Sequence, residues 1–398
     1  MEINVYDKEY KVYLHPSKQK FLLVQNTNDH IISAEQQIIM KQRGYLYFQP
    51  IAPNVLTVFF IPGWQCNMKC VYCFANNSKI RGIDVAERGI YIDAYRKKYN
   101  YRIINIVFFG GEPSLYLQEC ISLYSSLNDL FKNQDVELHY SIVTNGYDIT
   151  NEFIDFCLKI DIANIQITID CGKEYHDKYR KSINNEDTYE QIITNTNRLL
   201  GFELPLTIRT NVNNENVCQI HSICDDLIKL CNGRKIDWSI APIMNTDYRQ
   251  EQSFQTSIVK PYIKSICERL SSESIRLIPW MSNCDFFGNS VIVLNCDGKI
   301  YNCVNLCKHN YSIDKIYLLK SRADLSHCCN ALKCDSCFWE YMCGGGCKYQ
   351  NFIKNGSFNL PYCLKNIYDS LVMPIIEQKA LNYLSNSSYN PIALEIYF

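Results

Sequence analysis

The sequence carries no strong charge of either sign. Its 40 lysines and arginines nearly balance 41 aspartates and glutamates, for a formal net charge of −1. No long basic run occurs, so a nucleic-acid backbone is not expected as the main partner. Long apolar runs are missing as well. The most apolar one, Val55 to Ile61, is far too short to span a bilayer and reads as a buried strand. Met1 to Tyr10 is polar and charged and lacks the apolar stretch of a signal peptide. No membrane partner and a cytoplasmic location are therefore expected. No repeat runs through the chain, and no tract is of low complexity. Cysteine, by contrast, is plentiful at 21 residues. A disulfide scaffold is a short secreted chain, and this one has 398 residues and an odd cysteine count. In a reducing compartment, cysteines at short fixed spacings point to metal.

Length and an apolar content of 47% allow a main domain of about two hundred residues or more with appended parts. Residues 1–52 read as a small N-terminal α+β unit. Tyr10–Leu14 and Phe21–Val24 look like strands around a turn at His15 to Lys20, and Ser33–Gln42 looks like a helix capped by Ser33 and ended by Gly44. Pro50 and Pro53 mark a boundary. Residues 53–279 then alternate strands and helices. Six apolar runs read as strands: Val55–Ile61, Ile104–Phe109, Leu138–Val143, Ala163–Ile169, Leu204–Thr210 and Ile236–Ile240. Helical stretches lie near Val85–Lys98, Leu115–Phe131, Asn151–Lys159 with Thr150 as its cap, Tyr189–Leu200, Asn216–Leu230 and Ser253–Leu270. This alternation gives the fold class α/β, a partial (β/α)6 TIM-like barrel whose chemistry belongs at the C-terminal strand ends. Residues 280–375 are cysteine-dense and glycine-rich, poor in long apolar periods, and expected to need metal to fold. Residues 376–398 form a tail with one helical stretch.

Cys66, Cys70 and Cys73 follow the first strand in the spacing C-x3-C-x2-C. Three thiolates in eight residues suit three irons of a 4Fe–4S cluster and leave the fourth iron open. Zinc is the alternative, but it takes four ligands and this loop offers three with no histidine nearby. With Tyr72 before the third cysteine and Phe74 after it, the loop resembles the signature of the radical S-adenosylmethionine (SAM) superfamily. In that family the open iron chelates the cofactor's amino and carboxylate groups, and the resulting 5′-deoxyadenosyl radical abstracts hydrogen. Gly110-Gly111-Glu112-Pro113 ends the second strand, where the family has its GGEP motif. Its backbone carbonyls and carboxylate suit an ammonium group, and glycines let the backbone approach a ligand closely. The resemblance implies that residues at the later strand ends, Asn145, Asp170 and Arg209, contact ribose and carboxylate, that Phe74 touches adenine, and that Tyr72 belongs to the same site. Simple readings stand beside these: a turn at Asn145-Gly146, an ion pair at Arg209, a buried thiol at Cys171.

The C-terminal third holds a longer pattern. Cys284 and Cys303 flank Gly298, then come Cys334-x2-Cys337-x5-Cys343-x3-Cys347 and finally Cys363. A pair of zinc ribbons is one reading. The arrangement resembles the SPASM domain of radical SAM peptide-modifying enzymes. It implies two auxiliary 4Fe–4S clusters, three in all with the first. Cys334, Cys337, Cys343 and Cys363 would hold the outer one; Cys284, Cys303 and Cys347 the inner one. Some relatives add a cysteine six residues after the first, where Ser290 stands here. Cys296 or Cys307 could substitute, or the site could be open and take a soft substrate thiolate. Adjacent Cys328 and Cys329 and the other thiols read as buried or incidental.

The segment His176-Asp177-Lys178-Tyr179-Arg180 also resembles the sulfatase-maturase and peptide-maturase branches, and His176 reads as structural rather than as an acid or base. Sulfatase maturases generally carry an aspartate as candidate base just after the cysteine matching Cys303. Here Val304 stands, which cannot take a proton. The expectation is therefore a ribosomal-peptide maturase forming a thioether or carbon–carbon crosslink. A sulfatase maturase, a small-molecule radical enzyme and a non-catalytic iron–sulfur carrier are the alternatives. Expected partners are a precursor peptide and an electron donor such as flavodoxin or ferredoxin. Residues 1–52 are a candidate leader-peptide recognition element or a cover for the barrel.

Overall fold

A computed structural model describes residues 2–5, 8–14, 20–25, 54–75, 85–244, 254–270, 274–280, 286, 288–309, 312, 337–339, 343, 345–358, 362–386 and 393–397. The expected helix Ser33–Gln42, Pro50, Pro53, Cys284, Cys328, Cys329 and Cys334 lie outside the described residues.

The N-terminal strands are β1 (Glu2–Val5), β2 (Lys8–Leu14) and β3 (Lys20–Gln25). The last strand of the chain, β13 (Ala393–Tyr397), lies antiparallel on β3, with Ala393 opposite Val24 and Tyr397 opposite Lys20. The sheet order is β1-β2-β3-β13. The two strands expected from sequence are β2 and β3; β1 and β13 are additions, and the tail supplies an edge of the N-terminal sheet.

The six expected barrel strands are β4 (Val55–Phe60), β5 (Ile103–Phe108), β6 (Glu137–Thr144), β7 (Asn164–Thr168), β8 (Leu206–Val212) and β9 (Ile236–Pro242). They pair in parallel and in sequence order. Parallel neighbours need crossovers, which here are helical. These are α1 (Val85–Tyr99), α2 (Leu117–Phe131), α3 (Asn151–Lys159), α4 (Lys173–Tyr179) with α5 (Tyr189–Gly201), and α6 (Ile220–Cys231). Thr150 caps α3 as expected, its hydroxyl accepting from the Phe153 N–H at 3.1 Å. Beyond α7 (Thr256–Arg269), β10 (Ile275–Ile278) extends the sheet on β9. At the other edge β11 (Val291–Leu294) lies parallel to β4 and β12 (Ile300–Tyr301) antiparallel to β11. The nine-stranded sheet therefore stays open, with β10 and β12 at its two ends. The α/β partial barrel is the fold expected from the strand–helix alternation.

Alternation along each strand sorts its side chains. Leu56, Val58, Phe60, Ile104, Ile106 and Phe108 are fully buried in the core that also holds Leu123 and Leu127 of α2. The opposite face is half-buried and turns polar from β6 to β9, with Ser141, Gln166, Arg209 and Ser239, while on β4 and β5 Thr57 and Asn105 alternate with Val55, Phe59, Ile103 and Val107. A closed TIM barrel fills that face with branched apolar layers; here it does not.

The cysteine-rich region buries more core than its texture suggests. Ile292 and Leu294 of β11 are fully buried. Helices α8 (Lys348–Asn355), α9 (Lys365–Leu371) and α10 (Met373–Asn386) follow, and α9 and α10 pack on α7. Tyr368, Leu371, Val372 and Ile376 enter the main core. Its apolar residues are scattered among cysteines and turns, so local periodicity hides them. Among the described residues no helix is long and apolar enough to cross a membrane.

Candidate active site

The loop after β4 brings Cys66, Cys70 and Cys73 to the C-terminal edge of the sheet. Backbone pairing docks it on the segment that follows α4. Lys69 N–H donates to the Lys181 carbonyl at 2.9 Å, Val71 N–H to Tyr179 at 2.9 Å, and Ile183 N–H to Asn67 at 3.0 Å. Met68 is buried beneath it. Cys66 and Cys70 are half-buried and Cys73 is exposed.

The end of β5 holds the loop from the other side. Gly111 N–H donates to the Gly63 carbonyl at 3.1 Å, and Glu112 N–H to Gln65 at 3.0 Å. A Cβ on Gly111 would sit 2.2 Å from the Gln65 oxygen, and one on Gly110, at φ +143°, 2.4 Å from the Gly63 oxygen. The close approach that these glycines permit is to the chain leading into Cys66. Pro113 opens a single 3-10 turn, Pro113–Tyr116.

Glu112 is 1% exposed. One carboxylate oxygen accepts from Ser114 N–H at 3.0 Å and Thr144 hydroxyl at 2.7 Å; the other accepts from Asn145 N–H at 2.7 Å. Burial pushes its carboxyl up, and these donors hold it back. Glu112 thus ties the end of β5 to the end of β6. There Asn145 donates its amide to Asn67 Oδ1 at 2.8 Å and lies 3.5 Å from Cys66 Sγ. Met68 N–H points at the same sulfur from 3.4 Å. Asn145 thus reaches the cysteine loop, and Gly146 still makes the turn, at φ +75°. Burial, then Glu112, pushes the Cys66 thiol up to about 12, with the two N–H donors pulling it down.

A second network lies under Cys70. Tyr72 donates its hydroxyl to Asp170, and Arg180 Nη1 donates to that hydroxyl oxygen at 2.8 Å. Asn211 N–H donates to Asp170 Oδ1 at 3.0 Å, and Arg209 Nε donates to Asn211 Oδ1 at 2.9 Å. Arg209 therefore bonds an amide oxygen there, not a carboxylate. Burial pushes the Asp170 carboxyl up and Arg180 draws it down. Arg180 is 4% exposed, and its Nε has no partner among the described residues. Its charge also favours the Cys70 thiolate against burial. Arg180 and Asn211 were not singled out from sequence. Arg180 stood in the quoted His176–Arg180 segment, but its target, Tyr72, is distant in the chain.

The rest of that segment is structural. His176 is fully buried, its Nδ1 accepting from Asp170 N–H at 3.2 Å and its Nε2 3.2 Å from Thr188 Oγ1. Burial, then Arg180 and Lys173, holds its pKa well below the ordinary 6.5. Asp177 accepts from the Thr188 and Tyr189 N–H groups at the start of α5, both at 2.9 Å. Cys171 is fully buried, as are Cys120, Cys157 and Cys224.

Phe74 stacks on Phe109, with centroids 6.5 Å apart, and meets Trp64 edge-on at 6.0 Å. These aromatics join a second apolar core around Phe286, Tyr301, Leu306 and Tyr349, against which Cys303, Cys307 and Cys347 pack. The first cysteine loop and the cysteine-rich region therefore share a wall. Farther out, Gly346 at φ +81° lets the chain after Cys343 press on Tyr362, next to Cys363. A Cβ there would sit 1.6 Å from the Tyr362 oxygen. Tyr362 N–H donates to the Gly345 carbonyl at 2.9 Å. Cys337 is half-buried and Cys363 exposed.

The first loop suits an iron–sulfur cluster. Its donors are three thiols, two N–H groups aim at Cys66 sulfur, and a buried cation lies beside Cys70. Each thiolate of a cluster binds a different iron, so the three need not converge on one point. Among the described residues no three histidine, cysteine or carboxylate side chains converge to hold a single ion. An open cavity of about 1000 Å³ lies elsewhere, at the N-terminal strand ends between Asn164, Asp237, Arg276 and Lys379, and shares no residue with this site.

Residues 60–227 match the sequence profile of the Radical SAM superfamily. A cysteine-type anaerobic sulfatase-maturating enzyme of Clostridium novyi is 23% identical over 338 residues, 75% of this chain and 90% of that protein. Among solved structures, native anSMEcpe with bound AdoMet superposes with a TM-score of 0.63 at 18% identity, covering 83% of this chain and all of that one. Streptococcus suis SuiB bound to precursor peptide SuiA gives 0.58 at 14%, covering 92% and 99%. The fold is shared with both. Residues 60–227 thus form a radical SAM domain, the module with which radical SAM enzymes use S-adenosylmethionine and a 4Fe–4S cluster.

Proposed function

We propose that the enzyme is a peptide maturase that removes hydrogen from a ribosomally made precursor peptide and closes a thioether or carbon–carbon crosslink. Cys66, Cys70 and Cys73 hold the SAM-binding cluster. When bound, cluster and SAM supply the 5′-deoxyadenosyl radical that takes the hydrogen atom. The protein's own residues position and shield. Asn145 and Met68 N–H steady the Cys66 sulfur. Tyr72, Asp170, Arg180 and Arg209 frame the cofactor's polar end, Arg180 with a buried donor to spare. Gly110–Pro113 sets the ammonium side with Glu112, and Phe74 with Phe109 closes the adenine side.

The C-terminal region carries two auxiliary 4Fe–4S clusters in this reading, the outer on Cys334, Cys337, Cys343 and Cys363, the inner on Cys284, Cys303 and Cys347. An external flavodoxin or ferredoxin delivers the reducing electron. The divisions 1–52, 53–279, 280–375 and 376–398 remain the working domains, although β11 and β13 pair across them. The open inner face of the sheet, polar from β6 to β9, suits an extended peptide, and SuiB, which shares the fold, has been seen with its precursor peptide.

One observation carries the crosslinking reading over sulfatase maturation. Val304 follows Cys303 and packs in the second apolar core, so that position offers no base. The neighbouring Asp297 is engaged, accepting from Tyr301 hydroxyl at 2.6 Å and Lys299 N–H at 2.9 Å. Co-expression with a cysteine-containing precursor peptide from a neighbouring reading frame, once that frame is sequenced, followed by mass spectrometry, tests the proposal. A crosslink removes two hydrogens from the peptide. Formylglycine in a co-expressed sulfatase, with the peptide unchanged, would establish the other branch.

A further inference from the structure

The inner auxiliary site has three expected thiolates and an undecided fourth position. Ser290, where a cysteine stands in some relatives, is buried, and its carbonyl accepts from Thr57 N–H at 2.7 Å. Its hydroxyl is a hard donor, ill matched to an iron–sulfur site. Two other cysteines lie in the same part of the fold, and their surroundings differ.

Cys296 sits on the turn between β11 and β12. It is 1% exposed, and its thiol faces Asn295 Oδ1 at 3.7 Å. Besides burial, the groups that act on it are Asp297 and Arg88. Cys307 lies one turn beyond Cys303, on the 3-10 helix Val304–His309, whose first turn is closed by Leu306 N–H on the Cys303 carbonyl at 3.1 Å. It is half-buried and stands four residues from Cys303, which directly precedes this short helical segment. Cys347 stands at the N-terminus of α8, where its sulfur accepts from Gln350 N–H at 3.5 Å. Cys303, Cys307 and Cys347 all pack, half-buried, against one core of Tyr301, Leu306 and Tyr349, in which Cys296 is instead a fully enclosed member.

We propose that Cys307 is the fourth thiolate of the inner auxiliary cluster, beside Cys303 and Cys347. This rests on the reading that the C-terminal region holds auxiliary clusters. A cluster closed by four cysteines leaves no iron for a substrate thiolate. The peptide is then held by the protein alone, and the inner cluster serves electron transfer.

The test uses the full chain with Cys66, Cys70 and Cys73 all changed to alanine, reconstituted anaerobically so that only auxiliary iron remains. In this parent the EPR signal of the reduced clusters should not move when L-cysteine is added. Cys307→Ser should shift one of the two signals and make it respond to L-cysteine, and Cys296→Ser should do neither. A Cys307→Ser spectrum identical to the parent's overturns the proposal. So does a parent signal that already responds to L-cysteine. A parent that binds no iron at all instead sinks the auxiliary-cluster reading and this inference with it. A measurement on the unsubstituted protein guards against misfolding. Cys307 should resist iodoacetamide in the iron-loaded chain and lose that protection, together with Cys303 and Cys347, once a chelator strips the iron. Equal labelling of Cys307 in both states counts against it.

Discussion

Two glycines decide where Cys66 sits. Gly111 has carbonyl oxygens of the preceding loop within 2.5 Å of its missing Cβ, and these are backbone atoms with nowhere to retreat. Gly111→Ala should therefore expel the loop, and the purified variant should retain its fold by circular dichroism while losing one cluster's worth of iron. Gly201, in α5, has nothing within 4 Å. Gly201→Ala should be neutral or stabilise by ~0.5–1 kcal/mol in chemical denaturation. His176 gives a pH prediction with a definite sign. Its folded pKa lies below the unfolded 6.5, so the unfolded chain takes up the proton first as pH falls. Stability contributed by neutral His176 is full above about pH 6.5 and declines below it, by at most about 1.4 kcal/mol per pH unit. His176→Gln should flatten that part of the melting-temperature profile. The residue identities in the first loop were legible because thiol spacing is a one-dimensional signal. Arg180 and Asn211 were not, because their meaning lies in meeting Tyr72 and Asp170 across 108 and 41 positions.

At the scale of elements, local pattern and long-range pairing divide what sequence reveals. Six strands announced themselves as apolar runs, as did α3 with its Thr150 cap. Thr150→Ala should cost about 1 kcal/mol by chemical denaturation, since the Phe153 N–H then loses its partner. Helix α4 escaped notice because seven polar-rich residues show no period. Strands β11 and β12 escaped because they are runs of four and two residues, and β11 finds its parallel partner, β4, far earlier in the chain. Strand β13 escaped for the same reason, and it changes the expectation for peptide binding. It covers β3, so a leader peptide adding a strand to this sheet would meet β1 or β13, the two edges among the described strands. Removing residues 1–5 should weaken binding of the precursor peptide in a fluorescence-anisotropy titration, and removing residues 391–398 should not. The opposite pattern would place the leader on the β13 edge.

For the molecule as a whole, the sheet ends one cysteine loop where another cysteine-rich region begins. Phe74, Phe109 and Trp64 sit between them in one apolar core, and Trp64 donates to Asn295 Oδ1 at 2.9 Å across that boundary. The pairing of β11 with β4 makes the C-terminal region a structural extension of the barrel, so the two should unfold together in a single transition. What the sequence could not show was this contact between regions, since composition marked residues 280–375 as a separate texture. The central claim is that Cys66, Cys70 and Cys73 form a working SAM-cleaving centre. The direct measurement is 5′-deoxyadenosine, assayed anaerobically after reconstitution, reduction with dithionite and addition of S-adenosylmethionine. The intact chain should produce it, and the variant with alanine at all three positions should produce none. An iron-replete, reduced intact chain that yields no 5′-deoxyadenosine, or a triple variant that yields as much, would contradict it.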